Sequence, residues 1–250
     1  MSSAHPTSPA HPLVTVRDLT KRYGRLTALS GVSFSVYSGE VLGLIGPNGS
    51  GKTTLFECVA GVLPADAGTV SVDGRLLDVR GRSSSIFYLP DGIAPWPAQT
   101  VEWAIDFTLG YFGGRVDRRQ DVIERLALKP ILNASIGSLS KGERKRAVLA
   151  IGLLTPHAVL LADEPFDGLD LRQSREVGAA LRSHAADGRT LFLSIHQITD
   201  AARVCDRFVL LSGGHVRGEG TFDELARVAA RERRSPVTPR DLEDVVLALT

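Results

Sequence analysis

The stretch that decides the fold lies at positions 46–54 and reads Gly46-Pro47-Asn48-Gly49-Ser50-Gly51-Lys52-Thr53-Thr54. The spacing G-x-x-x-x-G-K-T is typical of a loop whose backbone N–H groups turn inward on the phosphates of a nucleotide. In such loops Lys52 reaches the β- and γ-phosphates and the hydroxyl of Thr53 binds Mg²⁺. We therefore predict that all nine residues form a nucleotide-binding loop. The alternative is a glycine-rich turn that binds nothing, and the lysine argues against it.

The segments around this loop predict the rest of the core. Residues 41–45 form a short apolar run, which is typical of a buried parallel strand, and residues 54–60 predict a helix whose N-terminus faces the phosphates. Residues 158–162 and 190–195 are two further buried-strand runs, with a predicted helix at 172–186 between them. This order predicts an α/β fold with a P-loop NTPase core and a parallel sheet.

Two other parts of the chain have different patterns. Alternating apolar residues at 13–16, 32–36 and 70–72 predict the strands of a small antiparallel β subdomain. Apolar residues at helical spacing between about 99 and 135 predict an inserted helical subdomain, which we assign to about residues 92–152.

Three regions follow from these patterns. Residues 1–12 are rich in Ser, Pro, Ala and His without the basic start or apolar run of a signal peptide, so we expect a disordered tail. Residues 13–221 form the α/β domain with its two subdomains. Residues 222–250 predict a C-terminal helical extension of two short helices, separated around Pro236 and Pro239.

Composition limits the classes of partner. The chain has 250 residues, 43% of them hydrophobic, and 29 basic against 28 acidic residues give a net charge of +1. This balance does not favour a nucleic-acid binder, so no nucleic acid is expected as a partner. Cys58 and Cys205 follow no metal or disulfide spacing, which favours two small buried residues in a reducing compartment. No apolar run is long enough to span a membrane.

Two carboxylates end the predicted strand at 158–162. In a P-loop protein the first acid after such a strand lies near Mg²⁺, and Asp163 fits that position. Glu164 is then placed to polarise the water that attacks the γ-phosphate. The alternative is a turn or helix cap after the strand, which explains one acid but not both.

A second turn has two interpretations that the residues alone leave open. Ser140 and Glu143 form the pattern S-x-x-E, an ordinary capping box at a helix start. The same helix N-terminus, with Ser140 and Gly142, is also suited to bind an anion.

In chain order, Tyr23, the phosphate loop, residues 139–143, the Asp163-Glu164 pair, Gly168-Leu169-Asp170 and His196 resemble the nucleotide-binding subunit of an ATP-binding cassette (ABC) transporter. The resemblance extends from about residue 13 to residue 221. It implies binding and hydrolysis of ATP with Mg²⁺ by a homodimer or pseudo-dimer of cassettes, which meet head to tail around two ATP molecules. It also implies a separate transmembrane permease as partner.

The same resemblance implies roles for individual residues. Tyr23 stacks on adenine, and Ser140 and Gly142 of the partner cassette touch the γ-phosphate. His196 is catalytic, since it holds the γ-phosphate and the attacking water, and Asp170 carries communication across the dimer. The alternatives are a surface aromatic at Tyr23, a strand-end polar residue at His196 and a helix cap at Asp170.

Three positions depart from the family pattern. Asp91 replaces the glutamine that contacts Mg²⁺ and the membrane partner; an acid can still bind the metal, although it cannot donate as an amide does. Lys141 replaces a small residue, and either adds a cation near the phosphate or points into solvent. Glu143 replaces a glutamine, which the capping box explains.

The last expectations concern transport. The tail at 241–249 resembles the end of cassettes that serve drug, antibiotic or polysaccharide exporters, so we expect an exporter. We expect the permease to dock near residues 91–101, where Trp96 and Pro97 project, unless Trp96 packs within its own subdomain. The protein is then cytoplasmic and peripheral on the inner face of the cell membrane. A basic cluster near the C-terminus predicts a solvated helix face or, alternatively, a contact with anionic lipid. Its residues are Arg227, Arg231, Arg233 and Arg234.

Two other classes of protein are alternatives. One is a soluble, non-transport cassette ATPase that acts in regulation or on nucleic acid, and the chain lacks the second cassette, coiled-coil insertion or zinc-binding cysteines typical of it. The other is a P-loop kinase or GTPase, against which the missing guanine pattern N-K-x-D argues.

Overall fold

A computed structural model of the chain describes residues 11–232 and 242–249. Within these residues strands and helices alternate along the chain. The strands are β1 (Pro12–Tyr23), β2 (Leu26–Tyr37), β3 (Val41–Ile45), β4 (Ala67–Val72), β5 (Arg75–Leu76), β6 (Ile86–Leu89), β7 (Val159–Asp163), β8 (Thr190–Ser194), β9 (Arg207–Ser212) and β10 (His215–Gly220). The α-helices are α1 (Lys52–Ala60), α2 (Val79–Arg82), α3 (Val101–Phe112), α4 (Arg119–Arg125), α5 (Lys141–Leu154), α6 (Leu171–Ala186), α7 (Ile198–Val204), α8 (Phe222–Glu232) and α9 (Leu242–Leu249).

The larger sheet has six strands in the order β10-β9-β3-β8-β7-β6. All neighbours in it are parallel except the edge strand β10, which is antiparallel to β9. Strands β3, β7 and β8 are buried along their whole length, which fits apolar runs covered on both faces. Because these strands are parallel, their carboxyl ends lie at one edge of the sheet, where ligands bind in open α/β folds.

The smaller sheet is antiparallel, with the order β2-β1-β4-β5. Its last hairpin turns at Asp73 and Gly74, which both have positive φ, as a tight hairpin turn requires. The two sheets pack together through aromatic rings: the ring of Phe192 on β8 lies 5.3 Å from Phe34 on β2 and 4.7 Å from Phe56 on α1. The predicted α/β core with an antiparallel subdomain is confirmed.

The helical excursion lies between the neighbouring strands β6 and β7 and contains α3, α4 and α5. The predicted helical spacing is confirmed, since Ile105, Ile123 and Leu126 are buried in its core. The helices α5 and α6 then cover the face of the large sheet opposite α1, and the apolar residues of both helices join one core.

The C-terminal helices α8 and α9 pack against each other, and α8 also contacts β10. Residues 1–10 of the predicted tail lie outside the described residues. The same is true of Arg233, Arg234, Pro236 and Pro239. No helix in the described part of the chain is both long and apolar enough to cross a bilayer.

Candidate functional site

The phosphate loop joins β3 to α1 as predicted, and its lysine is tied to its own backbone. Lys52 is buried, and its Nζ donates to the carbonyl oxygens of Gly46 at 2.8 Å and Pro47 at 3.3 Å. These carbonyls hold the ammonium group inside the curve of the loop. Pro47, Asn48 and Gly49 form the exposed tip.

Close packing explains two of the glycines. A Cβ at Gly46 would lie 2.1 Å from the carbonyl oxygen of Leu211 on β9, which no side chain can tolerate. Gly51 has φ of 105°, and a Cβ there would lie 2.7 Å from the carbonyl oxygen of Ala28. Only glycine fits at either position, so the curve of the loop is built into the sequence.

The mouth of the loop fits a phosphate. Helix α1 begins at Gly51 without any side-chain cap, which leaves its first N–H groups free for a ligand. The hydroxyl of Ser50 is buried and has no hydrogen-bond partner among the described residues. An orphaned hydroxyl beside an uncapped helix N-terminus matches the donors that a bound phosphate needs. Thr54 lies one step further along α1 and is half-buried.

Asp163 ends β7 directly beside the loop. The hydroxyl of Thr53 donates to Oδ2 of Asp163 at 2.8 Å, and the hydroxyl of Ser194 donates to Oδ1 of Asp163. A hydroxyl and a carboxylate in contact are the oxygen ligands that Mg²⁺ prefers. No group of three or more His, Cys, Asp or Glu side chains in the described ranges is arranged to hold a metal. A metal here would therefore take its other ligands from phosphate and water, as Mg²⁺ usually does.

Glu164 and His196 form a second pair at the same edge. The ring nitrogen Nδ1 of His196 lies 2.5 Å from Oε2 of Glu164, and the glutamate side chain is 19% exposed. Glu164 has a φ of 49°, an uncommon backbone conformation for this residue type. Its backbone N–H donates to the hydroxyl of Ser194 at 2.9 Å. The carboxylate is thus held at the surface beside the phosphate loop.

Ser194 was missed by the sequence reasoning. It is fully buried, ends β8, and its one hydroxyl group serves both acids, donating to Asp163 and accepting from the backbone of Glu164. The available signal was a serine inside an apolar strand two residues before His196.

The turn at Ser140 is a capping box. The Ser140 hydroxyl accepts from the N–H of Glu143 at 3.3 Å, and the Glu143 carboxylate accepts from the N–H of Ser140 at 2.9 Å. The hydroxyl and the amide of Ser140 lower the pKa of Glu143. Gly142 packs against the chain near Gly168, since a Cβ on it would lie 3.1 Å from that carbonyl oxygen. No hydrogen bond of the described residues joins this turn to the phosphate loop of its own chain.

The surroundings of Tyr23 and Asp170 also fit the alternative interpretations, which are a surface aromatic residue and a helix cap. The Tyr23 ring is 47% exposed at the end of β1, with Nζ of Lys21 5.6 Å from its centroid. Asp170 caps α6, and its Oδ1 accepts from the N–H of Gln173 at 2.8 Å. Neither contact tests the role that the family resemblance implies.

The two unusual residues at 91 and 141 are held in ion pairs. Nζ of Lys145 lies 2.6 Å from Oδ1 of Asp91, and Nζ of Lys141 lies 2.5 Å from Oδ2 of Asp167. Lys141 therefore packs on its own chain rather than pointing freely into solvent. The Asp91 carboxylate is engaged by a cation, and within the described residues it makes no hydrogen bond with Thr53, whose hydroxyl donates to Asp163 instead.

An apolar groove opens beside Asp91, between β6 and the helical excursion. Its volume is about 430 Å³. Trp96 stands at its rim, 38% exposed, with its ring centroid 5.0 Å from that of Phe107. The Trp96 ring therefore packs within its own subdomain and is still partly exposed, and docking of the permease here stays a prediction. The groove is lined by Phe87, Tyr88, Leu89, Ile93, Pro95, Trp96, Phe107, Thr108, Tyr111, Phe112, Val148 and Ile151.

Comparison with known proteins gives the same family by sequence and by structure. The ABC transporter family profile matches residues 29–167, more than half of the chain. The chain is 33% identical over 223 residues to the Nod factor export ATP-binding protein I of Ralstonia nicotianae, covering 86% of this chain and 68% of that protein. It is 30% identical over 220 residues to the sn-glycerol-3-phosphate import ATP-binding protein UgpC 1 of Rhizobium johnstonii, covering 85% of this chain and 59% of that protein.

A solved ATP binding subunit of an ABC transporter has the same fold. It superimposes with a TM-score of 0.84 at 26% identity, covering 95% of this chain and 99% of the other. The family assignment agrees with the uncapped phosphate loop, the Thr53–Asp163 contact and the Glu164–His196 pair. The chain belongs to the ATP-binding proteins of the ABC transporter family, which are ATPases that hydrolyse ATP for transport.

Proposed function

We propose that the chain binds ATP and Mg²⁺ between two cassettes and drives a separate permease in the direction of export. The observation that carries this proposal is the meeting of two pairs at the carboxyl edge of the large sheet. Thr53 contacts Asp163 beside the buried Lys52, and Glu164 contacts His196.

The phosphate loop binds the triphosphate. Lys52 exchanges its carbonyl partners for phosphate oxygens, and the hydroxyl of Ser50 finds the acceptor that it lacks. The first N–H groups of α1 complete the anion site, with Gly46, Gly49, Gly51 and the other loop residues shaping it. The exposed ring of Tyr23 supplies a stacking surface for adenine.

Thr53 and Asp163 hold Mg²⁺, and their present contact supports this assignment. When bound, the metal neutralises charge that develops on the transferred phosphoryl group. Asp91 was predicted as a further metal ligand. Its ion pair with Lys145 favours an indirect role, in which it couples the metal site to the helical excursion.

Glu164 is the catalytic base. It orients and polarises the water that attacks the γ-phosphate, and the loose transition state demands positioning more than a strong proton acceptor. His196 holds Glu164 through Nδ1, which leaves Nε2 free for the γ-phosphate or the water.

The dimer follows from the exposed turn at Ser140. Cassettes of this family act as dimers with transmembrane permease partners. Ser140 and Gly142 lie at a helix N-terminus that, within the described residues, makes no hydrogen bond with the phosphate loop of its own chain. This separation supports an anion supplied by a second copy. We propose that the second copy's ATP meets this turn, and that Asp170 responds to it.

The apolar groove is the docking site for the permease. Its exposed aromatic rim at Trp96 fits an apolar segment of a membrane protein, and this fit supports a cytoplasmic location on the inner face of the membrane. The Nod factor export proteins among the relatives support the export direction. The sn-glycerol-3-phosphate import protein among the relatives is the opposing example.

Two measurements test this function. The purified chain should hydrolyse ATP only with a divalent cation, and a chain that binds no ATP would overturn the proposal. If a membrane protein is encoded beside the chain, the two should copurify in detergent after co-expression, and Trp96→Ser should weaken this binding. The control is Val228→Ser, an apolar residue of nearly equal exposure on α8. Transport of substrate out of cells distinguishes export from import, and the absence of any membrane partner would favour a soluble ATPase.

A further inference from the structure

Helix α5 begins with two lysines one turn apart, and each is paired with an acid from a different loop. Lys141 pairs with Asp167 at 2.5 Å, and Lys145 pairs with Asp91 at 2.6 Å. The Lys145 side chain is only 13% exposed, whereas that of Lys141 is 58% exposed. The acids lie beyond neighbouring strands: Asp91 follows β6, and Asp167 follows β7.

The spacing of the two pairs matches the spacing of the strands. Lys141 and Lys145 are separated by about 6 Å along the helix axis, since each residue rises 1.5 Å. Strands β6 and β7 are direct neighbours, with Leu89 opposite Ala162, and such strands lie about 4.8 Å apart. The first turns of α5 therefore straddle the ends of both strands, and one helix face contacts two loops at once.

Lys141 also packs tightly on the loop that it pairs with. A Cβ added to Gly168 would lie 2.7 Å from Cδ of Lys141. The backbone N–H of Asp167 donates to the carbonyl oxygen of Glu164 at 3.1 Å, so the acid of the pair belongs to the turn that begins at Glu164. The position of α5, with Ser140 at its start, is thereby linked to the position of the catalytic carboxylate.

Lys145 faces the other side of the site. It lines the same narrow space as Asp163, together with Pro90, which precedes Asp91. An unpaired carboxylate at 91 would add negative charge close to Asp163 and to a bound triphosphate. The ammonium of Lys145 cancels that charge, which an amide at the same position would not carry.

We propose that Lys141 and Lys145 are positioning residues for ATP hydrolysis, which clamp α5 to the loops carrying Asp167 and Asp91 and let the site tolerate an acid at position 91. This inference rests on the proposed function. The four side chains act together. A purely structural role would not explain a loss of ATP affinity whose size depends on the charge of the nucleotide. Exposed ion pairs contribute little to folding stability.

The first test is a double-mutant cycle on Lys145 and Asp91, with ATP binding to the full chain measured by titration calorimetry. Lys145→Met should weaken ATP binding about tenfold, the effect of one nearby like charge at an intermediate dielectric. The loss should be larger in EDTA than in Mg²⁺, because free ATP carries more negative charge than its Mg²⁺ complex. Adding Asp91→Asn should restore affinity to within about threefold of the parent chain.

Three controls make the result specific. Arg144→Met removes a neighbouring cation of α5 that forms no ion pair within the described residues, and should leave ATP affinity unchanged. Lys145→Arg keeps the pair and should behave as the parent chain. Thermal unfolding identifies any variant that has lost its fold, in which case Lys145→Gln replaces Lys145→Met.

The second test addresses the other pair. Lys141→Met should lower kcat severalfold with little change in KM, because Glu164 keeps its substrate but loses its fixed position relative to α5. Exchanging the charges with Lys141→Asp and Asp167→Lys should recover most of kcat. Hydrolysis is compared with ATP affinity in the same samples.

The outcomes separate the two proposals. A parent chain that binds no ATP overturns the proposed function. A parent chain that binds ATP normally, with Lys145→Met no worse than Arg144→Met or with no recovery on adding Asp91→Asn, overturns the clamp alone. If exchanging the charges of Lys141 and Asp167 does not restore kcat, the proposed role of the Lys141–Asp167 pair is overturned.

Discussion

Nδ1 of His196 lies 2.5 Å from Oε2 of Glu164, although the two residues are 32 positions apart in the chain. The contact requires that Nδ1 carries the proton, which the imidazole donates to the carboxylate. The contact occupies Nδ1 and leaves Nε2 of the half-exposed ring for another partner. The base that we propose and the residue that we propose to orient it are thus in contact in the chain without substrate.

Replacing this histidine should affect hydrolysis more than binding. We expect His196→Ala to lower kcat roughly 10²-fold, because Glu164 and the attacking water lose their orienting partner. The ATP affinity measured by calorimetry should change by less than about threefold. The matched control is His215→Ala, an exposed histidine on β10. Equal kcat for both variants would contradict the role of His196.

The phosphate loop is tested through its lysine. Lys52→Ala should reduce ATP affinity tenfold or more, because a charge-assisted contact with the phosphates is lost. Lys129→Ala, an exposed lysine remote from the loop, should bind ATP as the parent chain does. Unchanged affinity in Lys52→Ala would mean that the loop does not hold the triphosphate.

Replacing Ser194 should lower both the stability of the fold and the rate of ATP hydrolysis. Ser194→Ala removes the partner of Oδ1 of Asp163 and of the N–H of Glu164, while Thr53 still donates to Oδ2 of Asp163. We therefore expect the free energy of unfolding to fall by about 1–3 kcal/mol. Mg²⁺-dependent hydrolysis should fall about tenfold, since both acids lose their position. Urea unfolding and steady-state kinetics measure the two effects, and Ser183→Ala on α6 is the control. Normal hydrolysis in Ser194→Ala would show that the acids are held by other contacts.

The features that the sequence predicted correctly are those set by residues close together in the chain. The phosphate loop, the buried strands and the capping box of Ser140 depend on residues close in sequence, and all three are present. Ser194 was not predicted, because only the sheet register, which sets it opposite Asp163, brings it to the acids. The pair of Lys145 and Asp91 was missed for the same reason, since 54 residues separate them.

A pH dependence of stability follows from a buried histidine. Burial lowers the pKa of His184 to about 4, and Arg189 and Arg118 add repulsion. The unfolded chain binds this proton near pH 6.5, so stability is lost as pH falls from about 6.5 toward 4. Between pH 7 and pH 5 we expect a loss of up to about 2 kcal/mol in the free energy of unfolding. His184→Gln should remove that part of the pH dependence, and His215→Gln should not. An unchanged slope in His184→Gln would contradict the assignment.

The central claim is that two copies of this chain enclose ATP and that Glu164 hydrolyses it. The most direct test is sedimentation velocity of Glu164→Gln with Mg²⁺ and ATP, because this change leaves the binding groups intact and removes the base. We predict a dimer with ATP, a monomer with ADP, and turnover reduced at least about 100-fold. A monomer at saturating ATP, or a variant that still hydrolyses ATP at the parent rate, would contradict the account.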